Sequence, residues 1–131
     1  MKRPDERPVV ILVDDEPQAL AALKRSLRDQ PYQVLATDDP FEAWSWIRSK
    51  PVGVIIADEF MPTMLGTELL EAARRERPGS GSIVLTGYPH TTVGTRASDH
   101  HVDILMFKPW NDNDLRDCVR RLLERRKSVR S

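Results

Sequence analysis

The segment that organises the rest of the chain reads Val54-Ile-Ile-Ala-Asp58-Glu-Phe-Met-Pro62-Thr-Met-Leu-Gly66. Four apolar residues lead without a polar break into Asp58, and a proline and a glycine follow within eight residues. This pattern is typical of a buried strand that ends abruptly in a loop. An uninterrupted apolar run suits a parallel sheet covered on both faces, where ligands bind beyond the carboxyl ends of the strands. Asp58 is therefore either part of a functional site or a loop cap, and this segment alone leaves both open.

Four further apolar segments alternate with helical patterns along the chain. The predicted strands are Val9 to Val13, Tyr32 to Thr37, the segment that ends at Asp58, Ser82 to Thr86, and Asp103 to Lys108. The predicted helices are Pro17 to Pro31, a helix that starts at Asp38-Asp39-Pro40, Leu65 to Arg77, Thr91 to His100, and a last helix capped by Asn111 or Asp112. The alternation predicts a single doubly wound α/β domain with five parallel strands, five helices and right-handed crossovers. In the flavodoxin-like strand order 2-1-3-4-5, the switch point falls between the first and third strands.

The periodicity within the helices predicts their inward faces. The second helix should bury Phe41, Trp44 and Ile47 as core residues. Residues 91–100 contain mostly weak helix formers, so we expect this helix to be the least stable element. Cys118 lies on the apolar stripe of the last helix and is interpreted as a small core residue.

The composition limits the classes of function. The 131 residues suit one domain, and 20 basic residues balance 20 acidic ones, so net charge does not indicate a nucleic-acid or membrane-surface partner. A single cysteine excludes an internal disulfide, and no segment has the length of a signal peptide or a bilayer span. We therefore predict a cytoplasmic protein. From Arg116 onward, seven basic residues face two acidic ones, which indicates either a docking patch or linker, or a solvated helix end.

Polar groups follow four of the predicted strands at one edge of the sheet. Asp14 and Asp15 follow the first strand, Asp58 ends the third, Thr86 the fourth and Lys108 the fifth. Three converging carboxylates repel one another unless a cation intervenes, and oxygen-only ligands in an open site favour Mg²⁺. A hydroxyl and an ammonium group suit phosphoryl oxygens. Each residue has an ordinary structural explanation by itself, but together they provide what phosphoryl transfer to the Asp58 carboxylate requires.

From about Val9 to Arg126, the chain resembles the CheY-like receiver domain of two-component response regulators. The resemblance rests on Asp14-Asp15, on Asp58 with Met61-Pro62 and Gly66, on Thr86-Gly87, and on Lys108-Pro109. It implies that Asp58 accepts a phosphoryl group from a histidine kinase or a phosphotransfer protein, and that the domain catalyses only its own phosphorylation and dephosphorylation. It implies in addition that Mg²⁺ is held by Asp14, Asp15, Asp58 and the backbone carbonyl of Phe60, that Thr86 and Lys108 bind the phosphoryl oxygens, and that a cis bond precedes Pro109.

The chain lacks one residue of the family pattern, and three other residues near the site suggest particular roles. The aromatic switch residue that usually lies three places before the lysine is replaced by Leu105. Phe60 and Tyr88 occupy the two positions that in the family tune the access of water, and our hypothesis is that they screen the acyl phosphate. Trp110 is either a lid over the last helix or a docking anchor. Lys108-Pro109-Trp110 is similar to receivers attached to HD-GYP cyclic-di-GMP phosphodiesterases or to stand-alone adaptors.

The predicted organisation is a disordered arm at residues 1–8, a receiver domain at 9–127, and a tail or the start of a linker at 128–131. Phosphorylation should alter the face made by residues 91–100, the fifth strand and the last helix, which would contact an effector, an output domain or a second copy in a homodimer. Two alternatives remain. The first is an unphosphorylated scaffold of the same fold, and the second is a Mg²⁺-dependent phosphohydrolase with an aspartyl nucleophile. The complete set of site residues disfavours the scaffold, whereas the adjacent acids at 14–15 and the lack of a cap domain disfavour the hydrolase.

Overall fold

A computed structural model describes residues 7–87 and 91–130 of the protein, with the backbone alone for 91 and 126–130. Tyr88 and residues 1–6 lie outside the described part, so the predictions that involve them stay predictions. The strands are β1 (Val9–Val13), β2 (Gln33–Thr37), β3 (Val52–Asp58), β4 (Gly81–Thr86) and β5 (Ile104–Phe107). The helices are α1 (Pro17–Ser26), α2 (Pro40–Ser49), α3 (Gly66–Glu76), α4 (Thr91–Asp99) and α5 (Asp112–Arg130). The predicted order of elements is confirmed.

The five strands form one parallel sheet in the order β2-β1-β3-β4-β5, as predicted. One face of the sheet is covered by α2, α3 and α4, and the other by α1 and α5. Alternate residues of β1 enter the two cores, since Ile11 and Val13 pack on the first face and Val10 and Leu12 on the second. Burial on both faces is the physical reason why β1, β3 and β4 are buried along their whole length.

The predicted inward face of α2 is wrong at Phe41. Phe41 is 59% exposed, and the buried positions of this helix are Pro40, Ala43 and Ile47, with Trp44 partly buried. Pro40 is the first residue of the helix and already points inward, so its neighbour Phe41 is rotated about 100° away from the core. The apolar stripe therefore begins one residue earlier than the aromatic spacing suggested.

One helix end differs from the prediction, and another agrees with it. The first helix ends at Ser26 and does not reach Pro31, because the backbone of Leu27 already leaves the helical conformation; Asp29 follows with a left-handed φ of 62°. Leu27 is nevertheless buried, since the turn after the helix keeps it in the core. At the start of α5, the side chain of Asn111 accepts a hydrogen bond of 3.0 Å from the backbone N–H of Asp114, which is the predicted cap.

Trp110 packs in the core, in agreement with its interpretation as a lid over the last helix. Trp110 is partly buried in the core between α1 and α5, and its indole Nε1 donates a 2.9 Å hydrogen bond to the hydroxyl of Ser26.

Cys118 is also partly buried, and burial raises the pKa of its thiol, which reduces the reactive thiolate form. The peptide bond between Lys108 and Pro109 is cis, as the family resemblance implied. None of the helices within the described ranges has the length and hydrophobicity that a bilayer span requires.

Candidate functional site

The ammonium group of Lys108 lies between two buried carboxylates at the carboxyl edge of the sheet. Its Nζ is 2.9 Å from Oδ2 of Asp14 and 3.1 Å from Oδ1 of Asp58. Asp14 is fully buried and Asp58 nearly so. A compact cation with several donors satisfies two such acids at once. Three of the residues predicted from strand ends are thus in direct contact.

The register of the sheet explains this convergence. Val13 of β1 pairs with Ala57 of β3, so Asp14 and Asp58 leave neighbouring strands at the same level. Thr86, the last residue of β4, is buried, and its backbone carbonyl accepts a 2.8 Å hydrogen bond from the backbone N–H of Lys108. The structure therefore places Thr86 next to Lys108 at this edge. A one-residue change of register would move these side chains to the opposite face of the sheet.

The electrostatics of the cluster make Asp58 an unusual carboxylic acid. Burial and, second to it, the charge of Asp14 raise the pKa of Asp58 from 3.8 to about 6, although Lys108 acts in the opposite direction. Burial alone would lower the pKa of Lys108, but its hydrogen bonds to the two carboxylates outweigh this effect and raise the pKa. The site therefore keeps the Lys108 side chain protonated, and the single charge of this ammonium group does not balance the surrounding carboxylates.

A cavity of about 340 Å³ opens above Asp58. It is lined by Asp15, Glu16, Asp58, Phe60, Gly87 and Lys108. Oxygen atoms of Asp14, Glu16 and Asp58 lie within 4.8 Å of one another, which is close enough to ligate one ion. An oxygen-only donor set with an open side fits Mg²⁺ better than a softer metal. Asp15 lines the cavity without belonging to this group of three, so its predicted role as a ligand stays a prediction.

Two acidic residues near Asp58 had received no role from the sequence. Glu16 contributes to the oxygen cluster, and its place in the run Asp14-Asp15-Glu16 was the available signal. Glu59 is fully buried directly after Asp58, and it accepts hydrogen bonds from the backbone N–H of Thr67 at 2.8 Å and from its hydroxyl at 3.0 Å. A charged residue at the end of an apolar strand was the only hint of this second acid.

The remaining partner of Glu59 comes from α4. Nε of Arg96 donates a 2.6 Å hydrogen bond to Oε2 of Glu59. The guanidinium carbon of Arg96 also lies 5.7 Å from the centre of the Phe60 ring, within the range of a cation–π contact. The segment after Asp58 is thus attached to α3 through Thr67 and to α4 through Arg96. Glu59 and Arg96 are 37 positions apart, so no local pattern in the sequence indicated this pair.

Comparison with known proteins identifies the family. A model of the response regulator receiver domain matches residues 10–120. The chain belongs to this family. Receiver domains are signalling modules of two-component systems and are not classical enzymes. They interact with histidine kinases and are often fused to output domains. The acidic cluster of this receiver is compatible with Mg²⁺ and with phosphorylation.

Similar proteins agree with this assignment. The hydrogenase transcriptional regulatory protein HoxA of Cupriavidus necator is 32% identical over 92% of this chain, and the probable transcriptional regulatory protein TcrX of Mycobacterium tuberculosis is 32% identical over 95%. The chain spans 25% of the length of HoxA and 54% of TcrX. A crystal structure of the signal receiver domain of an HD domain-containing protein from Pseudomonas fluorescens Pf-5 superposes with a TM-score of 0.89 at 28% identity, covering 99% of this chain and 96% of the other.

Proposed function

We propose that Asp58 is the phosphoacceptor of this receiver, and that it takes a phosphoryl group from the phosphohistidine of a histidine kinase or a phosphotransfer protein. A carboxylate oxygen of Asp58 attacks phosphorus, the bond from phosphorus to the histidine nitrogen breaks, and the imidazole leaves. The observation that carries the proposal is the contact of Lys108 with both Asp14 and Asp58 beside an open cavity. A cation held there is suited to an oxygen of the incoming group.

The other predicted residues have roles that fit their positions. The hydroxyl of Thr86 would donate to a second phosphoryl oxygen from the end of β4. Asp14, Asp15, Asp58 and the backbone carbonyl of Phe60 are the ligands that we assign to Mg²⁺, with Glu16 as an additional oxygen donor in the cluster. Bound Mg²⁺ would neutralise part of the charge that develops on the phosphoryl group.

We assign the output surface to α4, β5 and α5. β5 is an edge strand, and Phe107 at its end is 48% exposed, so this side of the sheet offers apolar surface to an effector or a second copy. Leu105 packs against the α4 side of the core in place of an aromatic switch residue. The matching receiver of an HD domain-containing protein, together with Lys108-Pro109-Trp110, supports an HD-type output domain as the fused partner.

Intact mass measured after incubation with a small phosphoryl donor tests the proposal. Wild-type protein with acetyl phosphate or phosphoramidate and Mg²⁺ should gain one phosphoryl group, and this gain should disappear with EDTA. Asp58→Asn should abolish it, whereas Asp38→Asn, which changes an exposed acid at the start of α2, should not. An adduct that survives Asp58→Asn, or no adduct from either donor, would contradict the assignment.

A further inference from the structure

The phosphoryl transfer proposed above does not use the contact between Arg96 and Glu59. Glu59 is 0% exposed, and burying a carboxylate costs several kcal/mol unless it is paired and fully hydrogen bonded. Thr67 provides two donors, and Arg96 provides the only cation within 4 Å of this acid in the described part of the chain. The burial of Glu59 therefore requires α4 to stay where Arg96 can reach it.

Arg96 also holds the residue that lines the cavity. Its side chain is 24% exposed and covers one face of the Phe60 ring, with the guanidinium carbon 5.7 Å from the ring centre. Phe60 also lines the cavity above Asp58. Planar guanidinium groups stack on aromatic faces and keep the ring in a defined position. Glu59 fixes the guanidinium, and the guanidinium in turn fixes Phe60.

We propose that Arg96 is a positioning residue that keeps Phe60 over the phosphorylated Asp58 and so sets the lifetime of the acyl phosphate. This proposal rests on the proposed function of Asp58 as the phosphoacceptor. Water must approach the phosphorus through the cavity that Phe60 lines. Hydrolysis then requires the ring to move aside, and its rate follows the fraction of time for which the ring is displaced.

The same contact couples α4 to this lifetime. Arg96 is the point on α4 that touches both Glu59 and Phe60, the two residues that follow Asp58. A partner that binds α4 and withdraws Arg96 would release the Phe60 ring and shorten the life of the phosphoryl group. A partner that holds α4 in place would lengthen it, because Arg96 would then stay against the Phe60 ring.

The rate of phosphoryl loss in four variants tests the inference. Arg96→Met alone would leave Glu59 buried without a cation, so we combine it with Glu59→Gln, which keeps an acceptor for Thr67. A cation–π contact of about 0.5 to 1 kcal/mol corresponds to about a two- to fivefold faster loss when it is removed. The combined variant, Phe60→Ala, the variant with all three changes, and Arg96→Lys are each phosphorylated, freed of donor and followed by intact mass.

The expected pattern is specific to a positioning role. Phe60→Ala should accelerate the loss at least as much as the combined variant, and the three changes together should be no faster than Phe60→Ala, because both act through the same ring. Arg96→Lys keeps a cation and should give an intermediate rate. Arg74→Met is the matched control, since it removes an arginine paired with the largely buried Glu71 two turns along α3, and it should not change the rate.

Three outcomes would overturn the inference. A wild-type rate in the combined variant, or effects of the combined variant and Phe60→Ala that multiply, would show that Arg96 does not act through the ring. A lifetime shortened equally by Arg74→Met would show a general effect of instability. If the wild type takes up no phosphoryl group at Asp58, the proposed function fails first and this inference fails with it, so the two failures are distinguishable.

Discussion

Replacing Asp58 with asparagine should stabilise the folded domain at neutral pH when no Mg²⁺ is present. Folding raises the pKa of this carboxyl from 3.8 to about 6, mainly through burial and the neighbouring Asp14. The unfolded chain therefore releases the proton of Asp58 at a lower pH than the folded chain does. Between about pH 4 and pH 6 the folded state binds more protons, so its stability falls as the pH rises.

The size of the effect follows from the same shift. A difference of about two pKa units at about 1.4 kcal/mol each gives a penalty of about 3 kcal/mol above pH 6. Asparagine has nearly the same shape and no charge to bury, so Asp58→Asn should avoid most of this penalty. For a domain of this size, about 3 kcal/mol corresponds to a rise of roughly 10 °C in Tm.

Urea denaturation followed by circular dichroism, at pH values from 4.5 to 7.5 with EDTA, measures the difference directly. The free energy of unfolding of the variant should exceed that of the wild type by about 2 to 3 kcal/mol at pH 7.5, and the gap should narrow as the pH falls toward 4.5. For Asp38→Asn, at an exposed position, the difference in free energy of unfolding from the wild type should not change with pH. Adding Mg²⁺ should stabilise the wild type more than Asp58→Asn, since a ligand of the folded state adds stability according to its affinity.

Two results would refute the reasoning. If the wild type is at least as stable as Asp58→Asn at pH 7.5 in EDTA, Lys108 already compensates the buried charge and the cluster has no excess negative charge. If the gap between the two proteins is the same at every pH, the effect of the substitution comes from packing and not from the titration of Asp58.

Further substitutions test other parts of the structure. Lys108→Met leaves two buried carboxylates without their cation and should cost about 3 kcal/mol in urea denaturation at pH 7.5. Gly66→Ala would place a Cβ atom against the carbonyl oxygen of Asp58 and should lower the free energy of unfolding by about 1 to 3 kcal/mol or prevent folding. Gly94→Ala meets no atom within 4 Å and should stabilise α4 by about 1 kcal/mol, so a loss of stability there would contradict its placement in the helix. Trp110→Phe removes one hydrogen bond to Ser26 of α1 and should lower the free energy of unfolding, measured by thermal denaturation, by about 1 kcal/mol.

The sheet and the centre of the site were predictable from the sequence because they depend on short-range patterns. Continuous apolar runs without alternation identify strands that are buried on both faces. When five such strands alternate with helices, the rules of strand connection allow only a few topologies. The topology then brings Asp14, Asp58 and Lys108 to one edge, whatever the details of packing. Their contact in the structure follows from strand order and register together with the length of the Lys108 side chain, which reaches past the end of β4.

Features that depend on side-chain reach were not predictable. The pairing of Glu59 with Arg96 requires the position of α4 relative to β3, which no local pattern encodes. The exposure of Phe41 was missed because a proline at the first helical position took the inward place that the aromatic spacing assigned to the phenylalanine. Burial of a single charged residue is decided by its partners, and those partners come from distant parts of the chain.

The order in which the strands are made bears on how the protein is synthesised. The first three strands form one side of the sheet, β2-β1-β3, which is complete once residue 58 has left the ribosome, and Asp14 and Asp58 both belong to it. The cation that joins them arrives fifty residues later with Lys108. A nascent chain that ends before β5 therefore has to keep these carboxylates hydrated and its central strands unburied. We expect the sheet to close only late, as a single cooperative step in which the last strand delivers the missing charge.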